Sequence, residues 1–455
     1  MPRAALHTLA LVWWMACWWL TEAVPIAATS LLPIVLLPLL GVSPVKVATG
    51  AYAHPLVFLF LGGFIIGTAM QRHQLHRRIA LHIVYRTGHS DVMLVAGVML
   101  AAAFLSMWIV NTATTMMLLP IGIALIDYQQ QRGVGGESLR NFGLCLLLGI
   151  AYGATLGGVS TLIGTAPNGF IAAYMAETYD IEIGFMQWMA VGLPVSLTMM
   201  IVTWWLLTRW VYPPQVTGGM GEDDYIRREI EHLGSMSRAE KLVALVFVSV
   251  ALLWVMRSGL NTTFPALQLS DTGIAMAGAV ALFLLPLDWR RGRFVLSWDD
   301  LRDLPWGVLV LFGGGLALAG AVTDSGLSRW LGEQLVFLNG WSLPLLIAAV
   351  VLIVILLTEL SSNMATTAIM LPLVSALAVA GGYHPLLLAA PATIAASCAF
   401  MLPVATPPNA IVFGSGRITI PQMSRAGAWL NLLALVVISA LVQWRVISVF
   451  AIEMP

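Results

Sequence analysis

The chain has 455 residues and a formal net charge of zero; 59% of its residues are hydrophobic and only 10% are charged. A soluble domain of this size cannot cover its surface with so few charges, which leaves the membrane proteins. The charge balance offers no hold for nucleic acid, and Cys17, Cys145 and Cys398 sit in apolar runs with no paired spacing, against a disulfide framework or a metal cluster.

A spanning helix needs ~20 mostly apolar residues. In chain order, spans are predicted near 6–22, 28–41, 55–71, 142–163 and 185–211, then near 239–258, 273–287, 304–321, 385–405 and 427–450. The apolar run begins almost at the N-terminus and the chain stays hydrophobic beyond it, unlike a cleavable leader. Trp13, Trp14, Trp18 and Trp19 read as interfacial or packing aromatics. Two longer apolar stretches, 91–128 and 343–380, are each interrupted at the centre by small polar residues with no basic side chain. Each is expected to be a re-entrant hairpin, because backbone that leaves the helix at membrane depth survives only when buried in protein or facing a cavity.

Charge asymmetry supports this layout. With the ends of the 91–128 hairpin on the cytoplasmic side, seventeen of the 22 basic residues fall in cytoplasmic loops. Arg3, Lys46, Arg257, Arg329 and Arg445 fall on the other side. The loop after residue 163 carries Glu177, Asp180 and Glu182 without Lys or Arg, as an outer loop can.

The most informative feature is an internal repeat. Asn111-Thr112-Ala113-Thr114-Thr115, followed by Leu119-Pro120, recurs as Asn363-Met364-Ala365-Thr366-Thr367, followed by Leu371-Pro372. Leu61-Gly62-Gly63 recurs as Phe312-Gly313-Gly314, and Gly164-Thr165-Ala166-Pro167-Asn168 as Ala405-Thr406-Pro407-Pro408-Asn409. The expected fold is therefore an all-α polytopic membrane protein of two repeats, residues 1–211 and 239–455, joined by a cytoplasmic linker at 212–238. Each repeat has five spans and one hairpin, with broken helices near 164–168 and 405–409. An odd number of crossings makes the repeats inverted, which puts a binding site near the midplane.

The motif chemistry fits a small anion. An amide or hydroxyl facing hydrocarbon is costly, whereas at a hairpin tip it supplies neutral donors beside the free N–H groups of a helix N-terminus. Carbonyls exposed in the same turns can ligate Na⁺. Pro407 and Pro408 remove two donors and interrupt the helix. Glu22 and Glu359 also lie in apolar surroundings, where a carboxylate is a functional candidate. Glu359, one turn before Asn363, is expected to orient it or carry a proton; Glu22 is expected to mark the end of a span.

These residues resemble the divalent anion/sodium symporter family, which includes bacterial dicarboxylate transporters, over nearly the whole chain. The resemblance rests on Trp18-Trp19-Leu20-Thr21-Glu22-Ala23-Val24-Pro25, the two Asn-centred tips and the two Pro-Asn breaks. The family's tip signature is Ser-Asn-Thr; here the tips read Val110-Asn111-Thr112 and Ser362-Asn363-Met364. The family usually has a further span before the Trp-rich helix, and a start without it is expected to put the N-terminus outside.

The resemblance implies a homodimer in the bacterial inner membrane that moves its substrate by an elevator motion. It also implies two sodium sites. The first is formed by Ser106, Asn111, Gly164 and the Val110 carbonyl, the second by Thr358, Ser362, Asn363 and Ala405. Substrate carboxylates would meet Asn111, Thr112, Thr165, Asn363 and Thr406, with Ser362, Met364 and Pro407 completing the site. The expected function is sodium-coupled import of C4-dicarboxylates such as succinate, malate or fumarate. The alternatives are a sodium-independent anion exchanger and a carrier of sulfate or another oxyanion. No catalytic residue is expected: the chain has no His-Glu-x-x-His or Gly-x-Ser-x-Gly, and its histidines lie outside the repeated motifs.

Overall fold

A computed structural model describes residues 1–87, 90–214, 222–334 and 340–453. Among them, eight helices are long and apolar enough to cross a membrane, and five shorter apolar helices accompany them. The first half begins with α1 (Arg3–Thr21), α2 (Ile26–Thr29), α3 (Leu32–Leu39), α4 (Val45–Gly50), α5 (Pro55–Arg72) and α6 (Leu75–Thr87). It continues with α7 (Asp91–Ser106), α8 (Asn111–Gln131), α9 (Gly136–Val159), α10 (Ala166–Tyr179) and α11 (Phe185–Trp205), which ends in a π turn over Leu206–Val211.

After α12 (Glu222–Leu233) come α13 (Arg238–Thr263), α14 (Asp271–Leu284) and a short antiparallel ribbon of β1 (Pro286–Asp288) and β2 (Arg293–Phe294). Then follow α15 (Trp306–Asp324), α16 (Leu327–Gln334), α17 (Leu343–Thr358), α18 (Asn363–Ala380), α19 (Leu386–Ala396) and α20 (Pro407–Gly414). The chain closes with α21 (Ile420–Val437), a second π turn over Ile438–Val442, and α22 (Gln443–Phe450).

The stretches 91–128 and 343–380 each form two helices joined by four residues, α7–α8 across 107–110 and α17–α18 across 359–362. Three expected spans are broken. The stretch 28–41 divides at Ser30: Pro33 has no N–H for the Thr29 carbonyl, and the Ser30 carbonyl accepts the Tyr52 hydroxyl instead. The stretch 142–163 ends as a helix at Val159, and 385–405 ends at Ala396. The loop expected after residue 163 is instead the buried helix α10, closed by Asp180 in the left-handed region (φ 57°). Amphipathic α6, α12 and α16 escape a search for apolar runs because half their faces are polar. The linker expected over 212–238 falls partly outside the described residues.

Close packing fixes the hairpins. Helix α9 is buried along its apolar length, and its glycines let α7 approach it. A Cβ at Gly153 would lie 2.8 Å from the Met99 carbonyl oxygen, and one at Gly157 would land on the Ala103 backbone. Polar contacts then join distant parts of the chain. Tyr152 donates to the Phe400 carbonyl (2.8 Å), Tyr212 to that of Gln422 (2.7 Å), and the Phe185 N–H to Asp271 (2.8 Å). Arg445 donates twice to the Ala190 carbonyl (2.9 and 2.7 Å), the oxygen that Pro194 leaves without a helical donor. At the helix ends rich in arginine, Arg78 pairs with Glu240 (2.8 Å), Arg77 with Glu229 (2.6 Å) and Arg417 with Asp127 (2.7 Å).

Candidate functional site between two hairpin tips

The repeated motifs take up the same local geometry twice. At the first tip, Val110 precedes α8 with φ −53° and ψ 137°; at the second, Ser362 precedes α18 with φ −60° and ψ 134°. The Ser106 hydroxyl donates to Asn111 Oδ1 at 2.9 Å, and the Thr358 hydroxyl donates to Asn363 Oδ1 at 2.9 Å. One turn onward, the Thr115 and Thr367 hydroxyls donate to the backbone carbonyls of Asn111 (2.9 Å) and Asn363 (2.8 Å). Each asparagine is therefore held from both ends by a hydroxyl five residues before it and another four residues after it.

The two breaks match as well. Thr165 leads into α10 with φ −143° and ψ 145°, and Thr406 into α20 with φ −141° and ψ 149°. The side-chain amide of Asn168 donates to the carbonyls of Gly158 (3.0 Å), Val159 (3.2 Å) and Thr161 (2.7 Å). That of Asn409 donates to the carbonyls of Ala399 and Leu402, both at 3.1 Å. These are the end carbonyls of the preceding helix or turn, left unpaired where the helix stops.

Four helix N-termini, those of α8, α10, α18 and α20, thus meet around one cavity of about 810 Å³. Of the residues predicted from sequence, Val110, Asn111, Thr112, Gly164, Thr165, Ser362, Asn363, Met364, Ala405, Thr406 and Pro407 all line it. Ser106 and Thr358 do not; both are fully buried behind the tips, touching the asparagine oxygens. A third wall, unforeseen from sequence, comes from Leu20, Thr21, Glu22 and Ile26 and from Pro305, Gly307, Val308 and Leu311. Glu22 closes α1 in the left-handed region (φ 49°), and among the described residues it is the one charged side chain lining the cavity.

The donor set behind each tip suits a hard cation. A Cβ at Gly158 would lie 2.6 Å from Asn111 Oδ1 and 3.0 Å from the Gly164 carbonyl oxygen; one at Gly164 would lie 2.9 Å from that of Ser106. Only glycine leaves this oxygen-lined space open. At the other tip, Thr358 Oγ1 is 2.9 Å from Asn363 Oδ1 and 2.6 Å from the Ala396 carbonyl, two acceptors for a single hydroxyl hydrogen. The oxygens Asn168 Oδ1 and Asn409 Oδ1 are buried without a hydrogen-bond partner. All of these ligand atoms are oxygens, the preference of an alkali or alkaline-earth ion over a transition metal.

Glu359 departs from its expected role. It does not bond Asn363; its carboxylate accepts from the backbone N–H groups of Phe400 (2.7 Å), Met401 (3.0 Å) and Leu402 (3.1 Å), and from the Asn431 amide (2.7 Å). That capture is why the helix expected over 385–405 stops early. The equivalent position in the first half is Met107, whose carbonyl accepts the Thr161 hydroxyl at 2.5 Å. Nothing local in the sequence signals either partner.

Fold and cavity together define a multi-pass helical membrane protein with a polar cavity between interrupted helices. The chain belongs to the sodium:sulfate symporter transmembrane region family, whose description matches residues 1–450; this is the divalent anion/sodium symporter family that its motifs resemble. It is 42% identical to the sodium-dependent dicarboxylate transporter SdcS of Staphylococcus saprophyticus, over 98% of this chain and 87% of that one. It is also 42% identical to SdcS of Staphylococcus aureus strain USA300, over 100% of this chain and 88% of that one. Among solved structures, MtrF of Neisseria gonorrhoeae, described as an antimetabolite efflux pump, has a similar fold. The TM-score is 0.62 at 12% identity, over 100% of this chain and 96% of that one. The YdaH transporter of Alcanivorax borkumensis is similar at TM-score 0.62 and 14% identity, over 99% of both chains.

Proposed function

We propose that the protein is a sodium-coupled importer of C4-dicarboxylates such as succinate, malate or fumarate. The observation that carries this reading is the convergence of two asparagine-headed helix N-termini on one cavity whose lining, among the described residues, has no basic side chain. Free N–H groups and the positive helix ends favour carboxylates, but two full negative charges need compensation that no Lys or Arg supplies. Sodium ions in the oxygen-lined spaces beside Asn111 and Asn363 supply that compensation and so couple the ion to the anion. The relatives named as sodium-dependent dicarboxylate transporters support the same assignment.

In this reading the first sodium ion is held by Ser106, Asn111, Gly164 and the Val110 carbonyl, and the second by Thr358, Ser362, Asn363 and Ala405. The substrate meets Asn111, Thr112, Thr165, Asn363 and Thr406, beside Ser362, Met364 and Pro407. Residues 1–211 and 239–455 are inverted repeats with re-entrant hairpins, and the protein works as a homodimer in the bacterial inner membrane by an elevator motion. The test is uptake of labelled succinate into proteoliposomes under an inward Na⁺ gradient. Asn111→Ala and Asn363→Ala should each abolish uptake while leaving expression and monodispersity near normal. Near wild-type transport by either variant would remove that tip from the site, and equal succinate counterflow without Na⁺ would make the protein an exchanger.

A further inference from the structure

The two ends of the cavity are not alike. The tips correspond at an offset of 252 residues in the repeated motif, so Thr112 and Met364 hold equivalent positions, one a hydroxyl and the other a thioether. Both line the cavity, and Met364 is only 4% exposed, packed into the wall as a fixed apolar surface. A second difference lies outside the tip triplets. Leu360, in the turn before Asn363, is 71% exposed and lines the cavity; Val404, in the turn before Thr406, is 79% exposed and lines it too. Their first-half equivalents are turned away. Trp108 stacks on Phe185 and Trp254, with ring centroids 6.0 and 6.3 Å apart, and Ile163 is 5% exposed against Gly63. Each tip thus presents one hydroxyl beside its asparagine, Thr112 at the first and Ser362 at the second, but the second end presents three apolar side chains, Met364, Leu360 and Val404, against Val110 at the first tip.

We propose that the second tip selects C4-dicarboxylates carrying an alkyl branch, methylsuccinate being the simplest, over unsubstituted succinate. This rests on the dicarboxylate reading above. The thioether and the two aliphatic side chains remove an added methyl group from water. The added methyl is worth about fourfold in affinity. The carboxylate at this end is bound through Asn363 and the α18 N-terminus, so the selection falls on the carbon beside it.

The experiment is competition against Na⁺-driven uptake of labelled succinate by the reconstituted wild type, Met364→Thr and Met364→Leu. In the wild type, methylsuccinate should compete about fourfold better than succinate. Met364→Thr should abolish that advantage. Met364→Leu, which keeps apolar volume, should preserve it and so separates selectivity from misfolding. If succinate is taken up but methylsuccinate competes no better than succinate, or if Met364→Thr leaves the ratio unchanged, the alkyl selection is wrong and the dicarboxylate reading stands. If no dicarboxylate is transported or competes, both fall together.

Discussion

Removing the Glu359 carboxylate should unfasten the second broken helix from its hairpin. Glu359 is 5% exposed and accepts four hydrogen bonds, three of them from consecutive backbone N–H groups of residues 400–402 and one from Asn431. In Glu359→Ala those donors lose their acceptor. A buried donor left unpaired costs ~1–3 kcal/mol. Phe400 is fully buried and Met401 and Leu402 partly so, which puts the loss at about 3–6 kcal/mol. Glu359→Gln keeps one accepting oxygen. Placed where Oε1 stands, that oxygen still serves Phe400, Met401 and Asn431, and only the Leu402 N–H faces an amide that cannot accept. Its loss should be ~1–3 kcal/mol. The assay is thermal unfolding in detergent followed with a thiol-reactive dye. Cys145 and Cys398 are buried and report unfolding, with the half-buried Cys17 changed to Ser beforehand. The expected order of melting temperature is wild type, then Gln, then Ala, with several degrees between the first and last. Equal melting of all three would refute the anchoring argument.

Two further outcomes follow from packing and charge. Gly157→Ala should prevent the α7–α8 hairpin from seating on α9, because the new methyl group meets the Ala103 backbone; the control Gly414→Ala, which meets nothing within 4 Å, should purify normally. Size-exclusion profiles compare the two, and a monodisperse Gly157→Ala at wild-type yield would contradict the close approach. For the proposed inverted layout, single cysteines at Glu177 and Arg228 should react with an impermeant thiol reagent from the outside and the cytoplasmic side respectively. Labelling of both from one side would overturn the layout.

What the sequence by itself determined was whatever depends on neighbours along the chain. Apolar run length set the membrane class. Asn111 and Asn363 at the centres of apolar stretches marked the two helix starts, because a tip is punctuated locally by small polar residues. Pro167, Pro407 and Pro408 marked where α10 and α20 begin, because proline acts on its own turn. The repeat tied these points together before any contact was known, and the structure brings the residues on its motifs to one cavity.

Tertiary structure decided what depends on partners far away in the chain. The Glu359 carboxylate and its amide donors are separated by 41 to 72 residues, and no local pattern records that pairing. The burial of α10, in a stretch read as an outer loop from Glu177, Asp180 and Glu182 at its end, follows from packing against α15, α18 and α19. The withdrawal of Ser106 and Thr358 behind the tips and the third wall around Glu22 and Val308 are likewise tertiary facts. So is the exposure of Leu360 and Val404 where Ile163 is buried and the half-buried Trp108 stacks on Phe185 and Trp254. Equivalent positions in a repeat share backbone geometry through local chemistry, but each side chain's surroundings are set by the helices packed against it, and those differ between the halves.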